Sequence, residues 1–325
     1  MKRGAYKAAA LALAGFCVAT AAVAQEWAPT KPIELTVPVP PGSSTDILAR
    51  MLAERLPKTL GQPVMVINRP GASGLIGATA VARAEADGHN LLLPPSTLFG
   101  APHVMPKGST AGVDVVEDLT PIVITATSPL LILAHPRLGV ATAPELVEHL
   151  KKNPGLPFAS SGNGSPQHIG GELFQQATQT QMTHVPYKGV MPAITDTVAG
   201  QITLAFSALG GVGQYIDSGQ VVALAVAEKE RTPLLPNVPT LTEVGIPGVE
   251  LNIFFPVLAP KGTPQAAIDR LNREIDAIVK DPEVTQRMRD LGVATLGTSV
   301  EEAQRRVRGE YDFYGKVVAD FGLGG

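Results

Sequence analysis

Two short stretches carry the residue types best suited to gripping an anion. Gly42-Ser43-Ser44-Thr45-Asp46 follows an apolar run at Leu35, Val37 and Val39 that Pro40 and Pro41 stop. Ser161-Gly162-Asn163-Gly164-Ser165 follows a second run over 156–160. In both, glycine permits a tight turn, serine or threonine supplies hydroxyls, and a helical pattern begins. The first N–H groups of a helix have no partner within it, and the helix dipole places positive charge beside them. A carboxylate would be stabilised there. Ser44 or Thr45 is expected to cap the first helix, with Asp46 in its first turn. Ser165 is expected to cap the second, with Pro166 at the first helical position. The two turns are read as facing each other across a cleft.

Other chemistry-bearing residues lie close to the second turn. His168 falls in the first turn of the helix after Ser165, where it either touches a ligand or packs on the helix surface. Tyr187 precedes Lys188-Gly189 and is either a pocket wall with a donor or a structural residue. Asp196 either ties the cleft loops together, meets an amine group, or stands in solvent. Lys188 lacks the neighbours that depress a pKa for Schiff-base chemistry. No G-x-S-x-G, G-x-G-x-x-G or Walker A loop is present. The six histidines, 89, 103, 135, 149, 168 and 184, show no H-x-x-x-H pairing, and His184 reads as structural. No metal site, cofactor or catalytic residue is expected.

Positioning these turns requires strands that alternate with helices. Strands are expected at Ile33–Val39, over 64–67 and at 91–93, with Ser96-Thr97 at the carboxyl end of the third. Parallel sheets bind ligands at that rim. The first helix, Leu48–Leu56, should bury Ile47, Leu48, Met51, Leu52 and Leu56. The second-turn helix should bury Ile169, Leu173, Phe174 and Ala177. Residues 99–116 have weak periodicity and are read as a surface excursion. The apolar run 121–134 is long enough to carry the chain between two domains. Further strands are expected at 183–185, 202–206, 221–227 and 257–259. Residues 231–248 show no clear element. Helices are expected at 266–280, 282–291 and 300–317.

Composition agrees with two α/β domains. The chain has 325 residues, 45% of them hydrophobic but only 5% aromatic, with 33 glycines and 29 prolines. That suits many short strand–turn–helix units rather than long bundles. Residues 1–24 have the pattern of a signal peptide: Lys2, Arg3 and Lys7, then an apolar stretch, then Ala22-Val23-Ala24. Cleavage after Ala24 would remove Cys17, the single cysteine. It would also remove three positive charges from a chain whose net charge is already -3. An acidic chain without a basic stripe opposes nucleic-acid binding, and an exported chain without cysteine suits a periplasm.

Many short motifs in order then resemble one family, the exported substrate-binding proteins of tripartite tricarboxylate transporters, also called Bug proteins. They include VPVPPGSSTDILAR at 37–50, NRPGASGLIGA at 68–78, ADGHNLLL at 86–93 and FASSGNGSPQHIGGELF at 158–174. HVPYKGVMPAITD at 184–196, AGQITLAFSAL at 199–209 and NVPTLTEVGIPG at 237–248 continue the match. The resemblance implies a type II-like Venus-flytrap fold, each domain a mixed, mostly parallel sheet flanked by helices. Residues 25–124 and 225–325 would form one domain and 125–224 the other. It implies a small organic acid held by backbone N–H groups, hydroxyls and water: a di- or tricarboxylate, an acidic amino acid or an aromatic carboxylate. Carried over residue by residue, the first domain contributes Gly42, Ser43, Ser44, Asp46 and Ser96. The second contributes Ser161, Gly162, Asn163, Ser165, His168, Tyr187 and Asp196. Ser128 and Ser207 lie near the junction. A monomer that hands its ligand to membrane permease subunits is implied; ligand sensing for a membrane receptor and an α/β enzyme acting on a carboxylate are the alternatives. Two departures stand out: Ser43 replaces a usual glycine, and Phe254-Phe255-Pro256 replaces a stretch that often carries tryptophan. Pro94-Pro95 also stiffens the third rim loop.

Overall fold

A single strand ties two similar half-sheets together. The computed structural model describes residues 27–106, 108 and 112–323; the signal-peptide reading lies outside them. In the first half, β1 (Ile33–Val37) leads to α1 (Ser44–Arg55), a one-turn α2 (Pro57–Leu60) and β2 (Val64–Asn68). Then come α3 (Leu75–Ala82), β3 (Asn90–Leu92) and α4 (Thr97–Val104). Strand β4 (Leu119–Ala134) crosses to the second half. There follow α5 (Ala143–Lys152), β5 (Leu156–Ser160), α6 (Pro166–Thr178), β6 (Met182–Pro186), α7 (Val190–Val198), β7 (Leu204–Ala208), α8 (Gly213–Asp217) and β8 (Val222–Val226). The chain returns through β9 (Asn252–Pro260) and ends with α9 (Gln265–Val279), α10 (Pro282–Asp290), β10 (Ala294–Thr295) and α11 (Val300–Phe321).

The two halves have one strand order. The first runs β2-β1-β3-β9-β4, and the second runs β6-β5-β7-β4-β8. In each, the first strand pairs in parallel with the second and third, and the strand arriving from the other half enters antiparallel beside the third. Strand β4 pairs with β9 as far as Pro129 and with β7 from Leu130 onward. Proline has no N–H to give a ladder, so Pro129 falls where the strand changes partners, and Pro121 falls at a register shift. Alternate residues of β4 point to opposite faces: Leu130, Ile132 and Ala134 join the main core, and Leu131 and Leu133 a second cluster.

Several expectations shift. Helix α1 starts earlier than its apolar face suggests, and Ser43 caps it rather than Ser44 or Thr45: Ser43 Oγ accepts from Asp46 N at 3.2 Å. Residues 99–116 are not a plain surface excursion: their first part belongs to helix α4, which buries Leu98, Phe99, Ala101 and Val104, and Val113 and Val115 beyond it are buried as well. The helix is two turns long, with Gly100 and Pro102 inside, too short for a periodic signal. Ala177 is exposed, because α6 turns that position away from the sheet. Strand β9 extends on both sides of 257–259, since it lies beside β4 for most of that strand's length. Helix α11 runs past 317 to Phe321. Among the described residues no helix is long and apolar enough to cross a membrane.

Candidate functional site

Both candidate turns sit at the carboxyl end of the first strand of their half, β1 and β5. Helices α1 and α6 then begin alike. Ser165 is the cap of α6; its Oγ accepts from His168 N at 3.2 Å and donates to the Gly162 carbonyl at 2.7 Å. The fourth residue of each unit, counting the cap as first, turns its side chain back. Asp46 Oδ2 accepts from Gly42 N at 2.9 Å, and His168 Nδ1 accepts from Gly164 N at 3.2 Å. Each is a capping box, shifted by one residue so that the glycine before the cap is the donor. Gly42 and Gly164 have φ of +83 and +71, the left-handed region that glycine adopts without strain.

What remains is a set of unused donors. Among the described residues, the backbone N–H groups of Ser43, Ser44 and Thr45 have no protein acceptor, nor do those of Ser161, Asn163 and Gln167. Three donors on each rim suit an oxyanion.

The turns differ in charge. Asp46 is buried, and its oxygens also accept from Arg50 Nε and Nη2 at 3.0 Å and from Asn68 Nδ2 at 2.9 Å. Burial alone would raise its pKa; the bonds from Arg50, Gly42 and Asn68 outweigh that and hold it below the usual value. Its carboxylate is therefore committed to the turn. His168 is neutral instead: burial pushes it down to about 4. Its ring stacks on that of His184, with centroids 3.8 Å apart. Burial, and then the neighbouring His168, take His184 down to about 3. Ser160 Oγ lies 2.6 Å from His184 Nε2. That Ser–His contact is sealed, because Ser160 is fully buried and its hydroxyl also bonds the Gly162 backbone. His168 Nε2 stands 3.7 Å from Glu172 Oε1.

Tyr187 and Asp196 meet each other: the Tyr187 hydroxyl donates to Asp196 Oδ2 at 2.8 Å. Burial and that bond push the phenol up to about 12. The Tyr187 loop lies on the second turn, with Tyr187 N donating to Ser160 O and Gly189 N to Ser161 O. Ser161 Oγ donates to Gln167 Oε1 at 2.9 Å, and Asn163 is exposed. Ser96 is fully buried behind the rim, near Phe254 N at 3.4 Å, and Phe254 stacks on Phe99. Ser128 donates to the Gly292 carbonyl and Ser207 to the Ala208 carbonyl, both buried at the junction. Arg50 and Asn68 hold the site without having been singled out from the sequence, and His184, read there as structural, supports it by stacking on His168. Only Asp46 and Arg50 carried a signal, an acid–base pair four residues apart on a helix. Among the described residues no group of three or more His, Cys, Asp and Glu side chains is placed to hold a metal.

The rims touch. Ser44 abuts Gly210, in the loop after β7, and Gly164 abuts Gly100, in α4 after β3. Each first-strand unit thus meets the exit of the third strand of the opposite half.

Known proteins share this build. The family model described as "Tripartite tricarboxylate transporter family receptor" matches residues 48–323. The protein BugT of Bordetella pertussis is 35% identical over 319 residues, covering 96% of this chain and 97% of its own. The solved structure of the periplasmic binding protein BugD matches at 33% identity and a TM-score of 0.81, covering 91% of this chain and 99% of that one. An adipate-bound protein of R. palustris matches at 32% identity and a TM-score of 0.82, covering 90% and 97%. Relatives this similar over nearly the whole length share the two-domain Venus-flytrap fold, and they are solute-binding proteins rather than enzymes. The chain belongs to the tripartite tricarboxylate transporter receptor family, the periplasmic carboxylate-binding Bug proteins.

Proposed function

We propose that this chain is an exported periplasmic binding protein that captures one small organic acid between its two halves and delivers it to the membrane subunits of a tripartite transporter. The observation that carries this reading is the pair of capping boxes, each leaving three backbone N–H groups without a protein partner on rims that meet. The ligand is a di- or tricarboxylate, an acidic amino acid or an aromatic carboxylate. Adipate in a related structure supports the dicarboxylate class. The second turn receives a carboxylate: α6 has no acidic residue in its first turn, whereas α1 has Asp46 there. Ser43, Ser44, Ser161 and Asn163 line the two rims. Asp46, Ser165, His168, Tyr187 and Asp196 hold those rims in shape. Binding shifts the population toward the closed form because only that form engages both rims.

A thermal-shift screen against mono-, di- and tricarboxylates, amino acids and aromatic acids tests the reading. An acid at ~100 times its Kd stabilises the protein by about 2.7 kcal/mol. No shift with any acid in the panel would remove the proposal.

A further inference from the structure

The two halves meet where side chains have no room. Gly100 is in α4 of the first half. A Cβ there would overlap the Gly164 carbonyl oxygen of the second turn, and a Cβ on Gly164 would stand 2.5 Å from Val104 Cγ2 and 2.8 Å from the Gly100 oxygen. At the other contact, a Cβ on Gly210 would stand 2.6 Å from Ser44 Oγ. Neither Gly100 nor Gly210 has a positive φ. Their backbone conformations are open to any residue, and glycine inside a helix such as α4 is less favourable than alanine. Conformation therefore gives no reason for Gly100, and space does.

We propose that the Gly100–Gly164 and Ser44–Gly210 contacts are the two closure seats of the clamp, with glycine at 100 serving as the notch into which the opposite turn's backbone docks. This rests on the reading that the halves close over an acid. The seats are reciprocal, since each half offers its first-strand unit to the third-strand exit of the other. Ser44 and Gly164 belong to the turns that carry the free N–H groups, so closing both seats brings the two sets of donors toward one ligand. Gly100 is a positioning residue. A methyl group there leaves every donor in place and keeps them apart. Its Cβ would also come 3.1 Å from Tyr314 Cδ2 within the first half. A ring edge yields by tenths of an ångström, but a backbone carbonyl fixed in a capping box does not.

The closure test needs no ligand. A Cβ on Gly210 would lie 3.6 Å from Ser44 Cβ, within the span of a disulfide. The variant Ser44→Cys/Gly210→Cys is expected to cross-link under mild oxidation, and peptide mapping identifies the 44–210 bond. Adding Gly100→Ala is expected to slow that cross-link by more than roughly tenfold. Gly164→Ala is no control, because the positive φ at 164 would strain the second turn by itself. Removing the Tyr314 ring edge with Tyr314→Leu should leave the slowing by Gly100→Ala in place, so crowding within the first half cannot explain it. Gly213→Ala, with no heavy atom within 4 Å of its Cβ, should leave the rate unchanged. Far-UV circular dichroism and melting temperature confirm that each variant is folded. Cross-linking of the Gly100→Ala variant at the parental rate would overturn the proposal, as would failure of the parental pair to cross-link. Failure of the organic-acid screen, with seats that behave as expected, would instead reject the ligand reading alone.

Discussion

The two rim turns share a plan and differ in one residue type. Ser43 and Ser165 cap their helices at the same 3.2 Å distance, and the third residue after each cap ties back to the preceding glycine. In the first turn that residue is an ionised aspartate, neutralised by Arg50. In the second it is an uncharged histidine stacked on another. Geometry was kept while charge was exchanged. An anion approaching the second turn meets an unopposed helix dipole. One approaching the first meets a dipole already answered by a carboxylate. The clamp is thus polarised, and substitutions at the paired positions can break or sharpen that contrast.

Asp46→Ala gives the largest expected effect. It strips four donors of one acceptor. Breaking a buried ion pair can cost more, but Arg50 is 53% exposed and regains water. The expected loss is about 3 kcal/mol, read as a lower urea midpoint at unchanged m-value. A loss below about 1 kcal/mol would mean that Asp46 does not organise its turn.

The partner position responds to pH with its own signature. The folded-state pKa of His168, about 4, lies below its ordinary 6.5. The neutral ring is favoured by folding, so its contribution is complete above about pH 6.5 and is lost as pH falls toward 4. The size is about 3 kcal/mol. Half-buried Glu228 and Glu310, raised to about 7, act in the opposite sense over part of that range, so the comparison must be with a variant. His168→Asn keeps an acceptor for Gly164 N but cannot titrate. Its stability curve should flatten between pH 6.5 and 4 relative to the parent. Parallel curves would show that His168 is not held neutral.

How much of this contrast could be read from the chain depends on the distance between the parts. Ser165 and Pro166 stand together, so the second cap and helix start were legible, as was the alternation that gives β1, β5 and their helices. The first cap lies one or two residues before the expected Ser44 or Thr45: three consecutive hydroxyl residues, Ser43 to Thr45, can each cap a helix, and only the φ of -70° and ψ of 159° at Ser43 decide among them. The role of Asp46 was hidden because Asn68, one of the three partners of its carboxylate, comes from β2. His184 reaches His168 only because β6 lies beside β5. Helix α4 was missed because its burial comes from α11 and the opposite turn rather than from its own period.

The caps themselves give a smaller and unequal pair of effects. Ser165 is fully buried and both accepts and donates, whereas Ser43 is half-buried and only accepts. Ser165→Ala is expected to cost about 2 kcal/mol and Ser43→Ala about 1 kcal/mol in chemical denaturation. Equal losses would mean that the Ser165 bond to Gly162 adds nothing. Calorimetry with an acid found in the screen should also show weaker binding for Ser165→Ala, since that cap shapes the turn assigned to the carboxylate.

Ser43→Gly isolates the hydroxyl with the least disturbance. Serine here is under no backbone strain, because the positive φ of the turn falls on Gly42 and Ser43 itself is extended. The usual glycine of the family would adopt the same path. It would give up the bond to Asp46 N and leave that N–H to water or to the ligand. Exchanging a serine cap for glycine costs only a few tenths of a kcal/mol, so the urea midpoint should barely move. If Ser43 Oγ serves only as a cap, acid affinity should change by less than about threefold, the range that a few tenths of a kcal/mol allows. A larger loss with an unchanged midpoint would mean that the hydroxyl leaves Asp46 N to meet the ligand. The first turn would then contribute a hydroxyl that its counterpart spends on its own carbonyl.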